Sequence, residues 1–164
     1  MIEIYTDGSS RGNPGKGGLG IVILKNNEII YSYSEQFDNV TNNQMELKAI
    51  IYAFEKIINV NKNENFTVYS DSSYCVNMCN DWIHTWAKND WINSKKEEVK
   101  NLELVKTLYN YLKVDFPNFN IQKCHGHSGD IGNELADALA SNNEAKFAKI
   151  KSENNIKDKY DIFI

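Results

Sequence analysis

The sequence predicts an α/β fold: a mixed five-stranded sheet, an antiparallel meander plus parallel strands, flanked by helices. Three observations predict it. Residues 2–37 hold three consecutive β-like segments joined by turn signals. An apolar stripe at helical spacing follows them. Beyond it, single strands alternate with helices, the pattern that produces parallel pairing through crossovers.

The first strand is residues 2–6, where apolar and polar side chains alternate. Residues 7–20 hold six glycines (Gly8, Gly12, Gly15, Gly17, Gly18, Gly20) and Pro14, so a tight turn leads into a second strand at 19–25. Asn26-Asn27 is a hairpin signal, and residues 28–37 form the third strand. Leu47, Ile50, Ile51, Phe54, Ile57 and Ile58 then line one side of a helix, with capping candidates at 41–43. Residues 59–65 read as a polar loop and 66–71, rich in β-formers, as the fourth strand. A short helix starts near Ser73. Residues 81–100 hold Trp82, Trp86 and Trp91 together with Lys88, Lys95, Lys96 and Lys100. A further helix over 101–113 carries Leu102, Val105, Leu108, Tyr109 and Leu112 on its apolar side. The last strand is 119–124, and a loop with three glycines leads to a helix from about Asn133. Residues 142–164 are polar and charge-mixed, a frayed helix or tail. No internal repeat or interdomain linker is visible.

A length of 164 residues suits one domain with one core. With 41% hydrophobic and 24% charged residues the chain is of globular type, not disordered. The N-terminus carries Glu3 and Asp7 and lacks the apolar run of a signal peptide, and no segment approaches membrane-spanning length. A cytoplasmic monomer without membrane association is the expectation. Three cysteines, Cys75, Cys79 and Cys124, indicate reduced thiols rather than a disulfide framework. A zinc site drawing on Cys75 and Cys79, four apart, and on Cys124 with His125 and His127 is conceivable, but there is no CxxC pair. The net charge of −4 argues weakly against nucleic-acid binding. Clustered carboxylates loaded with metal would reverse that sign locally.

Four acids stand in telling places. Asp7 ends the first strand and Asp71 the fourth. Carboxyl ends of neighbouring strands in an α/β sheet form one crevice, where ligands bind. Glu46 lies early in its helix beside the apolar stripe, and Asp137 sits among Leu135, Ala136, Ala138, Leu139 and Ala140. Singly, each has an ordinary explanation: a turn residue, a helix cap, a solvated helix position. Together, four anions in apolar settings need compensation, and hard divalent cations supply it through carboxylate oxygens. Two such cations form the clamp known for phosphoryl displacement.

The joint pattern resembles ribonuclease H of type 1. The matching words are TDGSSRGNPGKGGLG (6–20), TNNQMEL (41–47), YSDSSY (69–74), WIHTWAKNDW (82–91), VKN (99–101) and GHSGDIGNELAD (126–137), in the family's order and spacing. The resemblance implies a ribonuclease H-like fold, with a catalytic domain over 1–142 and a polar helix or tail over 143–164. It implies an endonuclease that hydrolyses the RNA strand of RNA–DNA hybrids by a two-metal-ion mechanism, using two Mg2+ with Mn2+ as a substitute. Asp7, Glu46, Asp71 and Asp137 match the metal-binding catalytic carboxylates, and His127 the loop histidine that assists proton movement or product release. Asn13, Asn42 and Asn43 match contacts to the minor groove and 2′-hydroxyls. Thr41 matches part of a phosphate pocket for the DNA strand; Lys100 and Asn101 lie near that strand's path. Trp82 and Trp86 match aromatics of the DNA channel.

Three departures bear on substrate grip rather than chemistry. The segment matching the family's basic protrusion, 82–100, has four lysines against Asp90, Glu97 and Glu98, a net charge of only +1. Asn39 stands where an arginine is expected on the phosphate path, and Ser73 where glutamine is common. The rivals are a DNA-directed nuclease of the same broad fold, a hybrid-binding module without catalysis, and a zinc regulator. The first lacks the TNNQMEL and GHSG words; the intact carboxylates and His127 count against the second.

Overall fold

The computed structural model describes residues 2–60, 64–124 and 130–159; the side chains of 57–60, those of Ile57 and Ile58 among them, lie outside that description. The chain runs β1 (Ile2–Gly12), β2 (Gly15–Lys25), β3 (Glu28–Val40), α1 (Asn42–Val60), β4 (Phe66–Ser70), α2 (Ser73–Asn77), α3 (Ile83–Lys88), α4 (Leu102–Asn110), β5 (Ile121–Lys123), α5 (Ile131–Ala140), α6 (Glu144–Glu153) and β6 (Lys157–Asp158). A π-helical turn, Met78–Trp82, joins α2 to α3, and another, Tyr111–Asp115, extends α4.

The sheet order is β5-β4-β1-β2-β3-β6. The meander β1-β2-β3 is antiparallel, while β4 pairs parallel with β1 and β5 parallel with β4. The expected five strands become six. Lys157 and Asp158 pair parallel with Glu28 and Ile29, and the Lys159 N–H donates to the Ile29 carbonyl. A two-residue strand has no period of its own to betray it. The glycine-rich stretch is also not a loop: β1 runs on to Gly12 and β2 starts at Gly15, with only Asn13 and Pro14 between them.

Alternation along the strands supplies two cores. Ile2, Ile4, Leu19, Ile21, Ile23 and Ile30 pack with Leu47, Ile50, Phe54 and the helices that follow β4. Val22, Leu24 and Ile29 pack on the other face against Leu135, Ala136, Ile150 and Ile156. Residues 144–158 form a helix and a short strand that supply Ile150 and Ile156, with Phe147 against them, to the second core; 160–164 lie outside the described residues.

Candidate active site

Parallel pairing of β1 with β4 sets the site. Thr6 lies opposite Ser70, so the next residue in each strand, Asp7 and Asp71, emerges at the same level. Helix α1 brings the third acid. Thr41 caps it: its Oγ1 accepts from the Gln44 N–H at 3.2 Å while the Thr41 N–H donates to Gln44 Oε1 at 3.0 Å, a reciprocal capping box. The first turns of α1 cross β1 at Gly8. A Cβ there would lie 2.3 Å from the Met45 carbonyl carbon and 2.4 Å from the Glu46 nitrogen, so only glycine allows this approach. The Gly8 N–H donates to Glu46 Oε1 at 2.9 Å, and the Ser70 hydroxyl donates to Oε2 at 3.4 Å.

Oxygens of Asp7, Glu46 and Asp71 all lie within 4.8 Å of one another. Asp7 and Glu46 are buried, and Asp71 is half-buried. All three bind protons more tightly than ordinary carboxyls. Burial raises Asp7 most, followed by the charges of Glu46 and Asp71. Burial also raises Glu46, against the pull of its hydrogen bonds from Asp7, Gly8 and Ser70. Asp71 is raised by burial and then by the charge of Asp137, while its own backbone N–H and Lys123 act the other way. A hydrogen bond between the two carboxyls raises Asp7 and lowers Glu46. An all-oxygen donor set that crowds negative charge out of water suits a hard divalent cation, which meets the demand otherwise met by protons.

Asp137 stands at the rim of this trio, not inside it. Its Oδ2 accepts from Lys146 Nζ at 2.6 Å, yet its charge still reaches Asp71 and Asp7. His127 lies outside the described residues.

The amide residues form a network beside β1. Asn13 Oδ1 accepts from the Asn42 N–H at 2.8 Å and from the Ser10 hydroxyl at 3.0 Å; Asn42 Oδ1 accepts from the Ser10 N–H at 2.6 Å. Asn43 is exposed on the first turn of α1. Further off, Trp82 and Trp86, with ring centroids 6.1 Å apart, line an open cleft shared with Lys95 and Lys100. Asn101 precedes α4 with a left-handed backbone, φ 58°.

Three polar side chains at the site carried no mark in the sequence. Ser70 is buried against Glu46, Lys123 Nζ donates to Ser73 Oγ at 2.6 Å beside Asp71, and Lys146 holds Asp137. Ser70 and Lys123 end β4 and β5, so the crevice rule that singled out Asp71 would have reached them. Lys146 is nine residues from its partner across a helix turn, and no spacing rule connects them. Cys75, Cys79 and Cys124 are buried free thiols, raised chiefly by burial and so unreactive. Among the described residues, no cysteine joins the metal-ligand group.

A mixed α/β sheet with two buried carboxylates and a half-buried one gathered where the parallel pairing of β1 and β4 ends defines a metal-dependent hydrolase. The RNase H family model matches residues 1–145, and the chain belongs to the ribonuclease H family. A Ribonuclease H from Caldicellulosiruptor saccharolyticus is 44% identical over 141 residues, 85% of this chain and 92% of that protein. The crystal structure of LC11-RNase H1 in complex with RNA/DNA hybrid, an enzyme isolated from compost by a metagenomic approach, superposes with a TM-score of 0.66 at 25% identity, covering 87% of this chain and 95% of the other. A foamy viral protease-reverse transcriptase in complex with RNA/DNA hybrid gives a TM-score of 0.74 at 25% identity over 86% of this chain; the match spans only 19% of that longer chain.

Proposed function

We infer that this protein is an endonuclease that hydrolyses the RNA strand of RNA–DNA hybrids. The observation that carries the reading is the buried trio of Asp7, Glu46 and Asp71, with Asp137 at its rim, in a chain of this family. These four residues would hold divalent cations, two Mg2+ with Mn2+ as substitute. When bound, such cations activate water and stabilise charge developing on the scissile phosphate. His127 assists proton movement or product release. The free amide groups of Asn13, Asn42 and Asn43 face the 2′-hydroxyls that separate RNA from DNA. Thr41, Trp82, Trp86, Lys100 and Asn101 grip the DNA strand. Residues 1–142 form the catalytic unit, to which 143–164 add α6 and β6. Among the described residues no helix is long and apolar enough to cross a membrane. The proposal includes a monomer acting in the cytoplasm.

The test is incubation with labelled RNA–DNA hybrid, duplex RNA and duplex DNA, each with magnesium or with EDTA. Cleavage of RNA in the hybrid alone, and only with metal, is expected. Cutting of duplex DNA would favour the DNA-directed rival.

A further inference from the structure

Asp137 is held by a lysine that has no helical reason to be where it is. Helix α5 ends at Ala140, and the chain turns through Ser141 and Asn142, the latter with φ 54°. Backbone bonds fix the turn: the Ser141 N–H donates to the Asp137 carbonyl at 3.0 Å and the Asn143 N–H to the Ala138 carbonyl at 2.8 Å. Asn143 then caps α6, its Oδ1 accepting from the Lys146 N–H at 3.0 Å. Lys146 thus stands in the first turn of α6, where the positive end of the helix dipole disfavours a cation. Its ammonium compensates by reaching back to Asp137 Oδ2 at 2.6 Å.

On the reading that the four carboxylates hold divalent cations, we propose that Lys146 is a tethered counterion competing with metal for Asp137. In the metal-free protein it neutralises the fourth carboxylate of a cluster already crowded with negative charge. A cation loading that carboxylate meets the ammonium's positive charge, at the same oxygen or across from it, and is opposed by it. The pair is displaceable, because the two side chains are 41% and 51% exposed and exposed ion pairs are weak. Lys146 therefore sets the metal concentration at which Asp137 engages, by about two- to fivefold, the range that the coupling of an exposed pair allows.

Binding of Mn2+ to the metal-free full-length protein, followed by titration calorimetry and by thermal shift, tests this without recourse to activity. Lys146→Met keeps the apolar stem and removes the charge. Its half-saturating Mn2+ concentration is expected to fall about two- to fivefold, while Lys146→Arg stays near the unsubstituted protein. In an Asp137→Asn background, Lys146→Met should change nothing further. Circular dichroism confirms that each variant is folded. Unchanged or weaker Mn2+ binding by Lys146→Met overturns the proposal; weaker binding would mean that the lysine steadies Asp137 for the metal. An equal gain in the Asp137→Asn background also overturns it, since the effect would then be general charge removal. If the unsubstituted protein binds no Mn2+ at all, the metal reading falls and the proposal falls with it.

Discussion

Replacing Asp7 by asparagine takes an ionisable carboxyl out of the trio and leaves an amide that can still donate to Glu46. Two routes give the size of the effect. Carboxylate oxygens within 4.8 Å repel by about 3 kcal/mol per ionised pair at an effective dielectric of about 20. Protonation relieves that repulsion, but at a cost. With the folded-state affinity of Asp7 for its proton raised, each pH unit above the unfolded value of about 3.9 costs the fold up to about 1.4 kcal/mol, about 4 kcal/mol near pH 7. Both routes place the gain from Asp7→Asn in metal-free buffer at about 2–4 kcal/mol. For a chain of this size that is a rise in melting temperature of about 4–16 °C. The folded state holds more protons than the unfolded one above pH 4, so metal-free stability falls as pH rises, and the slope should be shallower in the variant. Circular-dichroism melts in EDTA at pH 5.5, 7 and 8.5 measure both quantities. A variant no more stable than the unsubstituted protein in EDTA at pH 8.5, or a metal-free stability that does not fall with pH, would refute the reasoning. Hybrid cleavage should be abolished although the fold is firmer.

Gly8→Ala pushes a methyl into the backbone of α1 and breaks the bond from the Gly8 N–H to Glu46; a loss of about 1–3 kcal/mol and weaker Mn2+ binding should appear together in melts and calorimetry. His127→Ala should slow hybrid cleavage by about 10²-fold with metal binding intact; an unchanged rate would make it a bystander. Asp90→Lys should lower the Michaelis constant for hybrid and steepen its salt dependence, since each added phosphate contact contributes about 0.9 to the slope, whereas Trp86→Ala should raise it at every salt concentration. No response to Asp90→Lys would mean that residues 82–100 do not approach the nucleic-acid backbone.

What the sequence made legible was whatever has a period or a fixed place in a topology. The stripe from Leu47 to Phe54 marked α1, and the carboxyl-end rule put Asp7 and Asp71 together before any coordinates. The glycines were harder to read. Gly8 and Gly18 read as loop residues, yet they are strand positions, like Gly20, over which helices lie so close that a Cβ would meet α1 at Gly8 and α5 at Gly18 and Gly20. Only the packing partner distinguishes that use from a turn. Helix α6 reads only as a frayed helix or tail because few apolar residues mark it; Phe147 and Ile150 suffice once a core is there to receive them. The tie between Asp137 and Lys146 is made by a turn of the chain and is invisible to any count along it.

The two residues of β6 occupy the outer edge of β3, a strand of thirteen residues, and Ile156, immediately before them, is buried. An uncovered strand edge is an adhesive surface, ready to accept the same edge of another molecule. The final segment is a stopper as much as a support. Cut after residue 142, the chain would retain every proposed catalytic residue. It would also bare the backbone of Glu28 and Ile29 and the apolar side chains that Ile150 and Ile156 now cover, and concentration rather than chemistry would then limit its working life.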